Sequence, residues 1–241
     1  MRMPRSRLIL AAALVALCAG PAFVVPAGAG PLDDGIAAFT RGDFGAAKAI
    51  FEPLAQNGDP VAQYYLGDLI VRFATDRNKP EGVIWLRQSA EAGVPDAMNQ
   101  LATILAEGRI VSQDQRRANE LFMQAASIGY LPAYNNLGLR SYRGVGRPPD
   151  PVDASEWFRL AADQGFAEAQ FNLAVMYAGG EGVKFDLVEA YMWMSLAMKQ
   201  GHPQATQQRP AILKAMSPPQ IQEGEKRLRA WKPVQPKRPA S

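Results

Sequence analysis

Residues 161–169 read AADQGFAEA, and four other stretches align with them on a central glycine: LAQNGDPVA at 54–62, SAEAGVPDA at 89–97, AASIGYLPA at 125–133 and AMKQGHPQA at 197–205. The five glycines are Gly58, Gly93, Gly129, Gly165 and Gly201, spaced 35, 36, 36 and 36 residues apart. A period held so closely marks a stacked array in which each unit is one supersecondary element.

Other positions keep step with the glycines. Four residues after each comes an alanine: Ala62, Ala97, Ala133, Ala169 or Ala205. Eight residues after, Leu66, Leu101, Leu137 and Leu173 recur, each followed by Gly67, Ala102, Gly138 or Ala174. This predicts a helix with an apolar stripe and a small contact point where a neighbour approaches closely. A second helix is predicted before each glycine, with Ala47, Gly82, Ala118, Ala154 and Ala190 in one register. Three residues on, Ile50, Trp85, Leu121, Trp157 and Trp193 are expected to form its inner face.

Asp43, Asn78, Asp114, Asp150 and Asp186 stand four residues before that small-residue register, where a side-chain oxygen can take up free amides of a first helical turn. Asn78 with Glu81, and Asp186 with Glu189, have capping-box spacing, and Pro151 suits a first helical position. Each second helix is expected to end at its repeat glycine. Pro60, Pro95, Pro132 or Pro203 soon opens the next one. The fold class that follows is all-α.

One complete unit, AQFNLAVMYAGGEGVKFDLVEAYMWMSLAMKQG at 169–201, resembles the Sel-1-like repeat family, a relative of the tetratricopeptide repeats. Residues 133–165 are close to the same pattern, with Ser141 where tyrosine is usual and a loop after Gly144 lengthened by prolines. The resemblance covers about residues 33 to 231. It implies a right-handed α-solenoid of antiparallel helix pairs, about five repeats of 36 residues over 33–216. Ser217 to Gln220 resembles a capping box that opens a final helix over 217–231, expected to cover the open edge of the array. Residues 232–241 are rich in Pro and Lys and are expected to be disordered.

The N-terminus reads as a secretory signal over 1–29. Arg2, Arg5 and Arg7 precede an apolar run from Leu8 to Ala19 that is too short to span a bilayer. The small residues of Pro26-Ala27-Gly28-Ala29 place cleavage after Ala29 and the mature chain in the periplasm or outside the cell. A lipoprotein cysteine at Cys18 is the rival reading, opposed by the bulk of Leu17 before it. Cys18 is the only cysteine, so the cleaved chain has no disulfide or thiolate chemistry.

Of 26 basic residues three leave with the signal, which balances the remainder against 23 acids and removes the case for nucleic-acid binding. Basic residues gather toward the C-terminus: Arg209, Lys214, Lys226, Arg227, Arg229, Lys232, Lys237 and Arg238 face only Glu223 and Glu225. They read as a solvated tail helix, with weak contact to anionic surfaces as the alternative.

Nothing in the sequence supplies an activated nucleophile or a metal site. His202 is the only histidine and holds a slot taken elsewhere by Asp59, Val94, Tyr130 and Phe166. The Gly179–Gly182 cluster lacks the Lys-Ser/Thr of a phosphate loop and reads as a turn between helices. Catalytic, cofactor and metal residues are therefore expected to be absent. The resemblance implies a concave groove lined by the first helix of each pair, at positions six, ten and thirteen after the repeat glycine. Tyr64, Asp68, Asn99, Thr103, Asn135, Tyr142 and Phe171 occupy such positions. Amides and rings of this kind suit a peptide or protein partner. The expected function is thus a protein-binding adaptor, the alternative a protein that binds or hydrolyses cell-wall peptidoglycan.

Overall fold

The computed structural model describes residues 30–234, so the signal segment, its cleavage site, Lys237 and Arg238 lie outside the described residues. These residues form helices only, in chain order α1 (Pro31–Thr40), α2 (Phe44–Gln56), α3 (Pro60–Phe73), α4 (Lys79–Glu91), α5 (Pro95–Glu107), α6 (Gln115–Ser127), α7 (Leu131–Arg143), α8 (Pro151–Ala162), α9 (Ala167–Gly179), α10 (Leu187–Lys199), α11 (Pro203–Ala215) and α12 (Pro218–Ala230). From α1 to α11 each helix packs on the next, which makes an α-solenoid.

The repeat glycines end α2, α4, α6, α8 and α10 with φ between 84° and 95°. At Gly58, Gly93, Gly129 and Gly201 an added Cβ would meet nothing within 4 Å, so the left-handed backbone alone demands glycine there. Asp43, Asp114, Asp150 and Asp186 cap α2, α6, α8 and α10 by accepting amide hydrogens of the first turn. Asn78 departs from the expectation: its backbone is already helical and its side chain makes no cap bond. The reciprocal box at Asp186 is also unmade, because the Glu189 carboxylate accepts from Trp193 Nε1 at 3.0 Å and Arg227 Nη1 at 2.6 Å instead.

The core follows the small-residue register. Ala62, Ala97, Ala133, Ala169 and Ala205 are wholly buried, as are Ala47, Ala118, Ala154 and Ala190. Inside the first helices lie Leu66, Leu101, Leu137 and Leu173. Leu121 and Trp193 are buried as expected, beside Phe122 and Met194, but in α2, α4 and α8 the deepest large side chain comes one position later than expected, at Phe51, Leu86 and Phe158. Trp85 and Trp157 sit half-buried at the edge of the core, where the Trp157 indole N–H reaches the Asp153 carboxylate at 3.2 Å. Burying each of these large side chains stabilises the array by about 1.5–3 kcal/mol. Helices α3 and α4 cross backbone to backbone: a Cβ on Gly67 would stand 2.9 Å from the Gly82 carbonyl oxygen, and one on Gly82 would stand 2.8 Å from that of Gly67.

The C-terminal end breaks the pattern. Only Met216 and Ser217 separate α11 from α12, where seven residues separate α9 from α10, and α12 packs on α10. Gly224 lies against the Tyr191 ring, Trp231 meets Trp193 edge to face at 6.2 Å, and the Val234 amide donates to the Asp163 carbonyl at 2.7 Å. Helix α10 is consequently buried from Ala190 through Ala197.

Candidate interaction surface

First helices α3, α5, α7 and α9 are joined in succession by side-chain hydrogen bonds, one between each neighbouring pair. Asn136 Nδ2 donates to Asn99 Oδ1 at 2.8 Å, Asn172 Nδ2 donates to Asn135 Oδ1 at 2.8 Å, and Gln100 Nε2 donates to Asp68 Oδ1 at 2.7 Å. Two of these rungs are equivalent by register, joining position six after one glycine to position seven after the next. The third is the same joint with Asp68 standing in for the missing amide at Tyr64. Each such bond contributes about 0.5–1.5 kcal/mol and fixes how far one unit can slide past its neighbour.

The seven groove residues named from the sequence are spread among these joints. Asp68, expected to face a partner, is instead 1% exposed and holds Arg72 Nε at 2.7 Å as well as Gln100. Asn135 is also buried, its side-chain oxygen committed to Asn172. Both are corrected from groove-lining to joint-forming residues, for the same reason: the stacked helix covers them. Asn99 is half-buried with its oxygen engaged, and Thr103 turns its hydroxyl back to the Asn99 carbonyl at 2.9 Å.

Tyr64 is half-buried, and its hydroxyl pKa is pushed up to about 12, by burial first and then by the charges of Asp68 and Asp96. Phe171 stacks on the His202 ring at 4.5 Å, while His202 caps α11 through Nδ1. Tyr142 is the most exposed of the seven, and its hydroxyl donates to Glu181 in the next unit; that bond, with some burial, holds its pKa above the ordinary tyrosine value.

Sequence reasoning missed the donor half of the ladder. Tyr65, Gln100, Asn136, Asn172 and Gln208 share position seven, where four of five residues are amides, and that recurrence was open to inspection. It also missed the Tyr130 hydroxyl, which donates from the start of α7 to Asp96 Oδ1 in α5 at 2.7 Å and so reinforces the joint that Asn136 and Asn99 make.

Among the described C-terminal basic residues, three pair with carboxylates and Arg209 is held by hydroxyls. Arg209 donates to Ser195 Oγ at 2.8 Å and Tyr191 Oη at 2.6 Å, Arg227 pairs with Glu189 and Glu223, and Lys226 and Arg229 each lie 3.7 Å from a carboxylate. Lys214 and Lys232 remain exposed. Among the described residues no group of three His, Cys, Asp or Glu side chains could hold a metal ion, and no helix is long and apolar enough to cross a membrane.

Comparison with known proteins follows the same register. The family model of the Sel1 repeat matches residues 60–94, 95–130, 131–166 and 167–202, which are the four units from α3 to α10. A Sel1 repeat protein from Oxalobacter formigenes is 26% identical, with a TM-score of 0.69 over 84% of this chain and 85% of that one. A protective antigen of uropathogenic Escherichia coli strains that displays an SLR fold is 25% identical, with a TM-score of 0.50. That match covers 77% of this chain but only 48% of the antigen, so this chain spans about half its length. A Sel1 repeat protein from Klebsiella pneumoniae subsp. pneumoniae is similar in fold at 23% identity and a TM-score of 0.54, over 76% of this chain and 91% of that one.

Proposed function

Because the chain belongs to the Sel1 repeat family, whose members are generally protein-interaction scaffolds, we propose that it is a periplasmic or secreted adaptor that binds a protein or peptide along the first-helix face. The observation that supports this reading is the amide ladder. Each asparagine rung uses one oxygen and one N–H, leaving half-buried Asn99 with Nδ2 and half-buried Asn136 and Asn172 with Oδ1 unbonded to any other described residue. Donors and acceptors of this kind can bond the carbonyls and amides of an extended chain. Tyr142 and Tyr64 add rings at the margins.

The scaffold reading carries no catalytic step, and the signal segment supports export. N-terminal sequencing of the exported chain is expected to begin at Gly30. A photo-crosslinking residue at Tyr142 is expected to trap a protein partner in intact cells, whereas one at Ile84, exposed on α4, traps none. Equal adducts from both positions, or retention of purified peptidoglycan with no protein adduct, would overturn the reading.

A further inference from the structure

Eleven residues after the repeat glycines stand Leu69, Ile104, Arg140, Met176 and Ile212. The four apolar members are all buried in the core. The next position reads Ile70, Leu105, Ser141, Tyr177 and Leu213, and Ser141 is buried. One unit has therefore placed a cation in a slot that the others fill with an apolar side chain, followed by a small serine where the others carry a large side chain.

Around this exception lies a cavity of about 560 Å³ between α6 and α8, floored by α7. Arg140 reaches Gln115 through both terminal nitrogens, at 2.9 Å to the side-chain oxygen and 3.2 Å to the backbone carbonyl, and lies 5.7 Å from the Phe122 ring centre. Its Nε–H is buried with no acceptor among the described residues. Neutral oxygens satisfy two donors but leave the charge uncompensated, and burial pushes the guanidinium pKa down with no carboxylate to hold it up.

The other two cations of the cavity differ: Arg147 pairs with Asp153, and Arg116 is exposed to solvent, 3.6 Å from a Glu120 carboxylate that it shares with Arg117. Asp153 is occupied as well. Burial would raise its pKa, but hydrogen bonds from Ser141, Arg147 and Trp157 outweigh that and hold it below the usual carboxylate range. Arg140 is thus the cation of the cavity that has neither a carboxylate nor full solvent around it, beside the apolar surfaces of Met123, Leu137 and Trp157.

We infer that this cavity is a binding site for a small organic monoanion, a carboxylate on an apolar body, held by Arg140 with its body against Met123 and Trp157. A single desolvated guanidinium with no carboxylate partner matches a monoanion better than a phosphate dianion, and its planar fork matches a carboxylate. The site uses α6, α7 and α8 and none of the seven residues of the first-helix face, so it goes beyond the scaffold reading.

The test titrates the mature protein with N-acetyl-L-phenylalanine, its uncharged amide and acetate, by calorimetry. The expected order is the acid first, with the amide and acetate each at least about tenfold weaker, since losing a charge-assisted bond or an apolar contact is a change of that size. Arg140→Leu, which restores the residue of the equivalent slot in α3, is expected to lose acid binding about tenfold or more and to melt above the wild type in the absence of ligand. Should Arg140→Leu not fold, Arg140→Gln removes the charge while keeping a polar side chain and is expected to lose the same preference for acid over amide. Absence of acid binding at 10 mM probe, equal binding of acid and amide, or undiminished acid binding by a folded Arg140 variant would each overturn the inference.

Discussion

Replacing Gly67 by alanine isolates the close crossing of α3 and α4. Alanine is the better helix former, and in a free helix the change would stabilise by about 0.8–1 kcal/mol. Here the new methyl would stand 2.9 Å from the Gly82 carbonyl oxygen, 2.9 Å from Leu86 Cγ and 3.1 Å from the Leu86 backbone nitrogen. Two of those three atoms are backbone and cannot rotate away, so the helices must separate, at about 1–3 kcal/mol for overpacking.

With overpacking near the middle of that range, the net expectation is a loss of about 1 kcal/mol, or about 2–4 °C in melting temperature for a domain of this size. Gly45→Ala is the matched control, since its added methyl meets only Asp43 Oδ1 at 3.9 Å in the first turn of α2. It should be neutral or slightly stabilising. Urea unfolding of both variants by circular dichroism at equal slope measures the difference. Gly82→Ala points into the same gap from the other side, so once α3 and α4 have separated it should cost less in the Gly67→Ala background than alone. A Gly67→Ala protein as stable as wild type would refute the reasoning, since it would mean that the crossing is loose.

Three other outcomes follow from the packing and the ladder. In a double-mutant cycle of Asn135→Ala and Asn172→Ala, unfolding free energies should show a coupling of about 0.5–1.5 kcal/mol, whereas Asn99→Ala with Asn172→Ala, which share no rung, should be additive. The raised Tyr64 pKa means that the folded protein holds this proton after the unfolded chain has released its own. Stability is therefore full below pH 10 and declines from there toward pH 12, and Tyr64→Phe should flatten that decline in pH-dependent denaturant melts. Phe158→Ala, which empties a buried ring site against Gly138, should lose about 3–5 kcal/mol in the same unfolding assay.

The parts of this fold legible in the sequence are those set by one residue's own constraints. A left-handed corner admits little but glycine, a tight crossing admits little but alanine or glycine, and a first turn with free amides favours aspartate; hence Gly58 through Gly201 and Asp43 through Asp186 announce their places. The ladder was harder to read because it is a property of two helices. Asn135 looks alike whether it faces solvent or Asn172, and only the offset between α7 and α9 decides. Trp157 misled for a related reason: its ring is apolar but its N–H needs Asp153, which draws it to the edge of the stripe led by Phe158. Arg140 was readable as an exception to a register, although what surrounds it was not.

The way α12 turns back onto α10 fixes where such a chain can lengthen. A regular array offers its last helix pair as a template for one more, so gene duplication can add units at the tail without limit. Here the two-residue connection sends α12 across the surface on which a further unit would have to stack, with Trp231, Gly224 and Arg227 already seated on Trp193, Tyr191 and Glu189. Descendants with more units must gain them by insertion upstream of α11.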